Sequence, residues 1–130
     1  LTRKLGIEKQ VIFISSVSDT RLVLSVMDVF VMPSLHEGLG LSLMEAMAFG
    51  VPVIGSRVGG IPSLIQDGKS GLLVEPEDVA DLSAAIIRVL SDKASSARMS
   101  GLAADFINNN FGLQRQAEET ERVYKACLEK

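Results

Sequence analysis

The chain is poor in the residues that mark several common classes of protein. It has no tryptophan, one tyrosine and one histidine, and aromatic residues make up 5% of its 130 residues. Its 13 lysines and arginines are outnumbered by 16 aspartates and glutamates, which gives a net charge of −3. A nucleic-acid-binding domain usually presents a basic face. The composition therefore argues against nucleic acid as a partner.

Cysteine and long apolar runs are scarce as well. Cys127 is the single cysteine, which excludes an internal disulfide and favours a reducing compartment such as the cytoplasm. No stretch approaches the roughly 20 apolar residues that cross a bilayer, and no signal peptide is recognisable. With one histidine and no aspartate-rich cluster, the sequence predicts no metal site.

The chain does contain a regular alternation of strand-like and helix-like segments. Hydrophobic residues make up 47% of it, enough to form a core, and the length fits one domain. The predicted strands are 11–15, 29–32, 52–55 and 71–74, and the predicted helices are 20–27 (with Asp19 as N-cap), 41–49, 61–66, 77–91, 93–109 and 113–128. Repeated strand–helix units predict an α/β fold with a Rossmann-like, doubly wound parallel sheet and C-terminal helices. Ligands of such sheets bind beyond the carboxyl ends of the strands.

The most informative segment is Pro33–Gly50, which places Glu37 and Glu45 on either side of a Gly-x-Gly turn. Glu45 lies in an otherwise apolar helix, where burial without a partner would cost several kcal/mol. A polar ligand is therefore expected there. The glycines precede a helix N-terminus, whose unpaired N–H groups and dipole attract anions. The segment predicts a site for phosphate or sugar hydroxyls, with Glu45 accepting from neighbouring hydroxyls such as those of a ribose.

Two better-known phosphate motifs are not matched. Leu43 stands where the dinucleotide fingerprint requires its third glycine or alanine, so a nicotinamide site is not expected. Ser63 stands where a P-loop ending at Gly68-Lys69-Ser70 would need its first glycine. The segment 67–71 is therefore predicted to be a plain turn. An ordinary Gly-x-Gly turn without function is the alternative for the site itself, and the two glutamates weigh against it.

The segment Pro33–Gly55 resembles the signature of the retaining glycosyltransferases of family 4, which have the two-domain GT-B architecture. That signature is a glutamate, seven residues and a second glutamate, running into an apolar helix and then a Gly-x-Pro-Val strand. The likeness continues through 59–62, 67–74 and 76–78, and it covers most of the chain from about Leu5 onwards.

The resemblance implies a role for each matching residue. Such enzymes transfer a sugar from a nucleotide-sugar donor to an acceptor with retention of configuration, and they need no cofactor or metal. Glu37 is implied to be the catalytic residue beside the donor sugar, and Glu45 to hold the ribose. The turn amides of Gly38, Leu39, Gly40 and Leu41 are implied to cradle the sugar and the diphosphate. The segment after the first predicted strand, with Ser16 and Val17, is implied to meet the base.

The resemblance also implies parts beyond this chain. Residues 1–130 correspond to a donor-binding C-terminal half, and a preceding acceptor-binding domain with an arginine and a lysine for the diphosphate is expected in the parent protein. The fragment alone is therefore expected to be inactive. The parent is expected to be cytoplasmic, and its peripheral association with the inner face of a membrane is left open. Ser15 and Ser63 depart from the glycine and glutamate common in the family.

Several alternatives remain open from the sequence alone. A sugar-nucleotide epimerase of the same architecture and a non-catalytic nucleotide-sugar-binding module both fit the motifs. Whether Glu37 acts as a nucleophile or stabilises an oxocarbenium-like centre is also open, and the second is favoured because no paired acid is apparent. His36, Arg57 and Lys69 are predicted to be surface residues, against the alternatives of a sugar contact and of replacement cations for the diphosphate.

Overall fold

The computed structural model describes residues 1–128 as a small parallel sheet packed between helices. The strands are β1 (Phe30–Met32), β2 (Val53–Ser56) and β3 (Leu72–Val74); the helices are α1 (Thr2–Leu5), α2 (Thr20–Leu24), α3 (Leu41–Phe49), α4 (Ile61–Leu64), α5 (Val79–Ser91), α6 (Lys93–Asn110) and α7 (Leu113–Leu128).

The sheet has the order β1-β2-β3, and both neighbouring pairs are parallel. Val31 pairs with Ile54, and Gly55 pairs with Leu73. All four residues of the central strand β2 are buried. Parallel strands joined by helices form the α/β, Rossmann-like arrangement that the sequence predicts, so the fold class is confirmed.

Two hydrophobic clusters lie on opposite faces of the sheet. Val53 belongs to the cluster that contains Leu43 and Met47 of α3, whereas the next residue, Ile54, belongs to the cluster that contains Val89 of α5. Successive side chains of a strand point to opposite faces, so β2 contributes to both clusters. Helix α3 therefore packs against the sheet with its buried side. Its first turn lies at the end of the sheet where β1 stops.

One predicted strand is absent from the structure. Residues 11–15 form no strand, and the side chains of Ile12 and Phe13 are 84% and 83% exposed. A strand needs a neighbour to pair its backbone N–H and C=O groups, and no segment within residues 1–128 pairs with this one. The prediction of a strand at 11–15 was wrong because its β-rich composition could not reveal the missing neighbour.

The other elements agree with the predictions apart from their ends. Helix α2 stops at Leu24 and α4 stops at Leu64, so both are shorter than predicted. Helix α5 begins at Val79 because the Asp78 carboxylate caps it by accepting from the Asp81 N–H. Asp19 caps α2 as predicted.

Helix α7 packs loosely against the rest of the chain. It has no buried residue, and the apolar side chains of Leu113, Val123, Tyr124 and Leu128 are all exposed. Cys127, also on α7, is a free and exposed thiol. Across residues 1–128 we find no helix with the length and apolar character needed to cross a membrane.

Candidate functional site

The candidate site is built on the loop that joins β1 to α3. Strand β1 ends at Met32, and α3 begins at Leu41 and ends at Phe49, as the sequence predicts. Gly40 immediately before α3 has φ 83° and ψ 57°, a left-handed conformation that favours glycine. The loop therefore lies beyond the carboxyl end of a parallel strand, where ligands of such sheets bind.

The first turn of α3 presents amides without intrahelical partners. The Met44 N–H donates to the Gly40 carbonyl oxygen at 3.0 Å, so the amides of Leu41, Ser42 and Leu43 precede the first bond of the helix. No side chain caps this helix. Unpaired amides and the positive end of the helix dipole together favour an anion at this position.

The Glu37 carboxylate folds back onto its own loop. One of its oxygens accepts from the Gly38 N–H at 3.1 Å, and the other accepts from the Ser34 hydroxyl at 3.5 Å. Its side chain is half-buried, whereas the neighbouring His36 is exposed. In this state the Gly38 amide is occupied by Glu37, so a ligand that used this amide would have to displace the carboxylate.

A second loop, which follows β2, packs closely against the Glu37 loop and forms a hydrogen bond with it. The Gly60 N–H donates to the Gly38 carbonyl oxygen at 2.7 Å. A Cβ atom at Gly59 would lie 1.7 Å from the Glu37 carbonyl oxygen, and one at Gly60 would lie 2.4 Å from the Gly38 carbonyl oxygen. Only glycine permits this approach. The two glycines belong to the segment 59–62 of the family resemblance, but the sequence assigned them no role at the site.

Glu45 is exposed, so the cost of burying it without a partner, on which the expectation of a polar ligand rested, does not arise. The buried side of α3 is formed by its neighbours Leu43, Ala46 and Met47. Glu45 lies on another side of the helix, where it is exposed. Its carboxylate has no hydrogen-bond or ion-pair partner within residues 1–128 and is free to accept from a ligand. With Ser42 it lines a cavity of about 170 Å³, whose other walls are Val17, Thr20, Val23, Leu24, Met27 and Phe30.

The structure thus brings one of the two predicted base-contacting residues to the Glu45 cavity. Val17 lines it, whereas Ser16 is exposed and does not. The walls are mostly apolar, with a carboxylate and two hydroxyls, those of Thr20 and Ser42. An apolar slot with a few convergent polar groups suits a flat ring that carries hydroxyls.

Most charged groups near the site are already paired. The Asp19 carboxylate receives the Arg21 guanidinium at 2.8 Å, and the hydrogen bonds from Arg21 hold the pKa of Asp19 below its usual range. Arg57 lies between Asp67 at 3.1 Å and Glu75 at 3.0 Å, so it joins the loops after β2 and around β3. Arg57 is thus committed to two carboxylates, and Lys69 is exposed. Residues 1–128 hold no group of three or more potential metal ligands.

Comparisons with known proteins agree with this geometry. The family model described as "Glycosyl transferases group 1" matches residues 1–109. The chain is 35% identical over 128 residues to N-acetyl-alpha-D-glucosaminyl L-malate synthase of Bacillus anthracis, and 39% identical over 126 residues to D-inositol 3-phosphate glycosyltransferase of Corynebacterium diphtheriae. These alignments cover 98% and 95% of this chain but only 34% and 29% of the relatives.

Among solved structures, sucrose-phosphate synthase from Thermosynechococcus elongatus matches with a TM-score of 0.90 and 30% identity. That match covers 98% of this chain and 32% of the other. The chain therefore spans about a third of the length of the proteins it resembles. With a family model matching most of its length, this chain belongs to the glycosyl transferases group 1 family.

Proposed function

We propose that this chain is the donor-binding domain of a retaining, family 4-type glycosyltransferase, which moves a sugar from a nucleotide-sugar to an acceptor. The observation that carries the proposal is the first turn of α3. No side chain caps its open amides, which follow Glu37 in the chain, and Ser42 and Glu45 of the same helix line the cavity. Membership of the glycosyl transferases group 1 family supports the same reaction class.

The nucleoside of the donor occupies the cavity beside Glu45. Its base lies against the apolar wall that includes Val17, and Ser16 precedes that residue in the chain. The exposed Glu45 carboxylate accepts hydrogen bonds from the two ribose hydroxyls, and hydrogen bonds to an ionised acceptor are about twice as strong as neutral ones. Because the carboxylate has no competing protein partner among the described residues, it loses none on binding.

The diphosphate lies at the amides of Gly38, Leu39, Gly40 and Leu41. Negative charge grows on the diphosphate as its bond to the anomeric carbon breaks, and fixed N–H dipoles stabilise that charge without reorganising. The same positions need no metal ion for this purpose. The upstream arginine and lysine expected in the parent protein complete the neutralisation.

Glu37 lies beside the anomeric carbon and stabilises the positive charge that develops there. Its carboxylate accepts hydrogen bonds from Ser34 and Gly38 of its own loop. Gly60 donates a hydrogen bond to the backbone of that loop. When the donor arrives, the sugar or the diphosphate replaces the carboxylate at the Gly38 amide. The carboxylate is then free to turn towards the sugar.

The remaining parts of the enzyme belong to the parent protein. We place the acceptor-binding domain before residue 1, in a cytoplasmic protein, and expect residues 1–130 alone to bind donor without transferring sugar. The test is to incubate the purified chain with donor and a simple acceptor and to analyse the products. A product that carries the transferred sugar would contradict that division of roles. Isomerised donor in the same reaction would instead indicate an epimerase.

Calorimetric titration with UDP-, GDP- and ADP-sugars tests the donor site directly. We expect saturable binding of one nucleotide series, and its loss in Glu45→Ala. Glu8→Ala removes an equally exposed carboxylate outside the cavity lining and serves as the matched control. Binding that survives Glu45→Ala unchanged, or that falls equally in both variants, would contradict the assignment of Glu45.

A further inference from the structure

A second cavity lies at the carboxyl end of the sheet, on the face that carries α5. Its volume is about 180 Å³, and its floor consists of Pro33, Ser56 and Val74, which come from the ends of the three strands. Ser56 pairs with Val74, and Leu82 of α5 closes one side. The Glu45 cavity is lined by α3, which packs on the other face of the sheet, so the two cavities are separate. We call this one the strand-end cavity.

The Ser56 hydroxyl is buried in the floor without a partner in the protein. The residue is 2% exposed. Its side chain lies on the same face as that of Ile54, because side chains alternate along a strand, and Ile54 packs towards α5. Across residues 1–128 every fully buried side-chain oxygen has a hydrogen bond, so the Ser56 oxygen, which has none, retains access to the cavity. A ligand that pairs with it would remove the cost of an unpaired buried hydroxyl.

The other buried serines of the described chain differ from Ser56 in this respect. Each of them forms a hydrogen bond through its hydroxyl group, and they are Ser70, Ser96 and Ser100. The unpaired hydroxyl is therefore a property of the strand-end cavity and not of buried serines in this fold.

Three carboxylates line the strand-end cavity, whereas none of its nine lining residues is a lysine, an arginine or a histidine. The Glu75 carboxylate is held by Arg57 at 3.0 Å, and one oxygen of Asp78 accepts from the Asp81 N–H. Within residues 1–128 the Glu77 carboxylate forms no hydrogen bond or ion pair, and it lines the cavity uncompensated. These carboxylates form no group of three potential metal ligands, which favours an organic cation.

The backbone holds Glu77 in a conformation that residues other than glycine seldom adopt. Its φ is 64°, and it is the one non-glycine residue of the described chain with a positive φ. Such a conformation costs free energy and persists only where the surrounding structure fixes it. The next residue, Asp78, caps α5, so the turn between β3 and α5 keeps Glu77 at the cavity.

Apolar side chains form the remaining walls of the strand-end cavity. Leu35 and Val79 line it although they are 53% and 79% exposed, and Leu82 lies deeper. Covering such side chains with an aliphatic chain is favourable because it removes apolar surface from water. The cavity thus combines an apolar wall, an unpaired hydroxyl and uncompensated negative charge.

We propose that the strand-end cavity binds a primary alkylammonium group, which is the end of a free aliphatic amine or of a lysine side chain. The ammonium donates to the Ser56 hydroxyl oxygen and to the carboxylates of Glu77 and Asp78. An ammonium has three N–H donors, one for each of these acceptors. The aliphatic chain lies along Leu35 and Leu82. This site is on the other face of the sheet from the donor site and does not depend on the proposed function.

The probe for this site is n-butylamine, titrated at neutral pH while the amide chemical shifts of the ¹⁵N-labelled chain are recorded. We expect saturable shifts at Ser56, Glu77 and Val79. Butanol and butyrate carry the same chain with a neutral or a negative end, and they should bind at least about tenfold more weakly, because hydrogen bonds to charged groups are the stronger ones. N-acetyl-lysinamide identifies the source. Tighter binding of this compound than of butylamine indicates a lysine of a protein segment, and the reverse indicates a free amine.

Ser56→Ala gives a readout that a purely structural serine would not give. It should weaken butylamine binding by about fivefold or more, whereas the free energy of unfolding in urea should stay equal or rise, because the hydroxyl has no partner to lose. Ser96→Ala is the matched control. Ser96 is also buried, but its hydroxyl donates to the Val89 carbonyl oxygen at 2.7 Å, so its loss should lower stability and leave butylamine binding unchanged.

Glu77→Gln tests the charge of the cavity at constant side-chain size. It should weaken butylamine binding, whereas Glu8→Gln removes an exposed carboxylate outside the lining and should not. Equal binding of butylamine by wild type and Ser56→Ala, equal binding of butanol and butylamine, or absence of shifts at Ser56 and Glu77 would each overturn the inference. None of these outcomes changes the proposed donor site, which the nucleotide-sugar titrations test separately.

Discussion

Two glycines after β2 decide how the Glu37 loop is held. Gly59 and Gly60 lie against the carbonyl groups of Glu37 and Gly38, at distances that leave no room for a Cβ atom. The backbone carbonyl of Gly38 accepts from the Gly60 N–H. Positioning at this site thus depends on residues with no side chain.

Gly60→Ala tests this contact. The new Cβ would lie 2.4 Å from the Gly38 carbonyl oxygen, so the two loops must move apart, and overpacking of this kind costs about 1–3 kcal/mol. We expect a lower free energy of unfolding in urea and weaker donor binding. Gly101→Ala in α6 is the control, because a Cβ there meets nothing within 4 Å and alanine stabilises a helix by about 1 kcal/mol. Equal stability of Gly60→Ala and wild type would contradict the contact.

Substitutions of the two glutamates should have different effects on kcat and donor KM. The kinetic measurements use the parent protein, which is proposed to contain the acceptor-binding domain as well. Glu37→Ala removes a group proposed to act on the developing charge, so it should lower kcat more than it raises donor KM. Glu45→Ala removes a group proposed to bind the ribose in ground and transition states alike, so it should mainly raise donor KM. Unchanged kcat in Glu37→Ala would refute its catalytic role.

At the scale of elements, caps and ion pairs fix where the helices begin. Asp19, Asp78 and Asp92 each cap a helix by accepting from a backbone N–H. The last of these stands between α5 and α6 and separates them within a single residue. The starts of these three helices are therefore set by local polar contacts, of which the sequence analysis predicted the Asp19 cap.

Asp78→Ala should destabilise the fold through α5. The Asp78 carboxylate accepts from the Asp81 N–H at 2.9 Å, and loss of an N-cap of this type costs about 1 kcal/mol. Thermal unfolding followed by circular dichroism measures the change. Asp105→Ala removes an exposed aspartate from the interior of α6, and it should be neutral or stabilising because alanine is the better helix former. A melting temperature for Asp78→Ala equal to that of wild type would rule out the cap.

The pair between Asp28 and Lys93 links the start of β1 to the start of α6. The Lys93 ammonium lies 2.7 Å from the carboxylate, and its hydrogen bond and charge hold the pKa of Asp28 below the ordinary value of 3.8. A lowered carboxyl pKa stabilises the folded state above the unfolded pKa, and this contribution is lost as the pH falls through the folded pKa. Lys93→Gln should raise the Asp28 pKa towards 3.8, as measured by carboxyl NMR titration; an unchanged pKa would contradict the pair.

At the scale of the whole molecule, the fold has a well-packed centre and two sparsely packed ends. The central strand β2 is buried along its whole length. In contrast, Ile12 and Phe13 are exposed and α7 buries no side chain. Stability is therefore concentrated between β1 and α6.

Amide hydrogen exchange should show this division. Within the described chain, residues 11–18 make no backbone hydrogen bond, so their amides should exchange almost as fast as those of an unfolded peptide. The amides of Ile54 and Gly55 should be protected to the level of global unfolding. Protection of residues 11–18 in the isolated chain would show that this segment pairs with something, for example a second copy.

The sequence alone determined the order of the elements from α2 to α7, the α/β class and the position of the Glu37–Glu45 segment at a helix start. These follow from local signals: apolar runs, the Asp19 cap and a spacing that resembles a known signature. Such signals act over a few residues and need no knowledge of neighbours.

Tertiary structure decided the features that depend on contacts between segments distant in the sequence. It left residues 11–15 without a strand partner, turned Glu45 outward and set Gly60 against Gly38. Pairing, exposure and the facing of distant loops depend on contacts between segments far apart in sequence. No local pattern encodes these contacts, because the same residues would satisfy their own propensities in many arrangements.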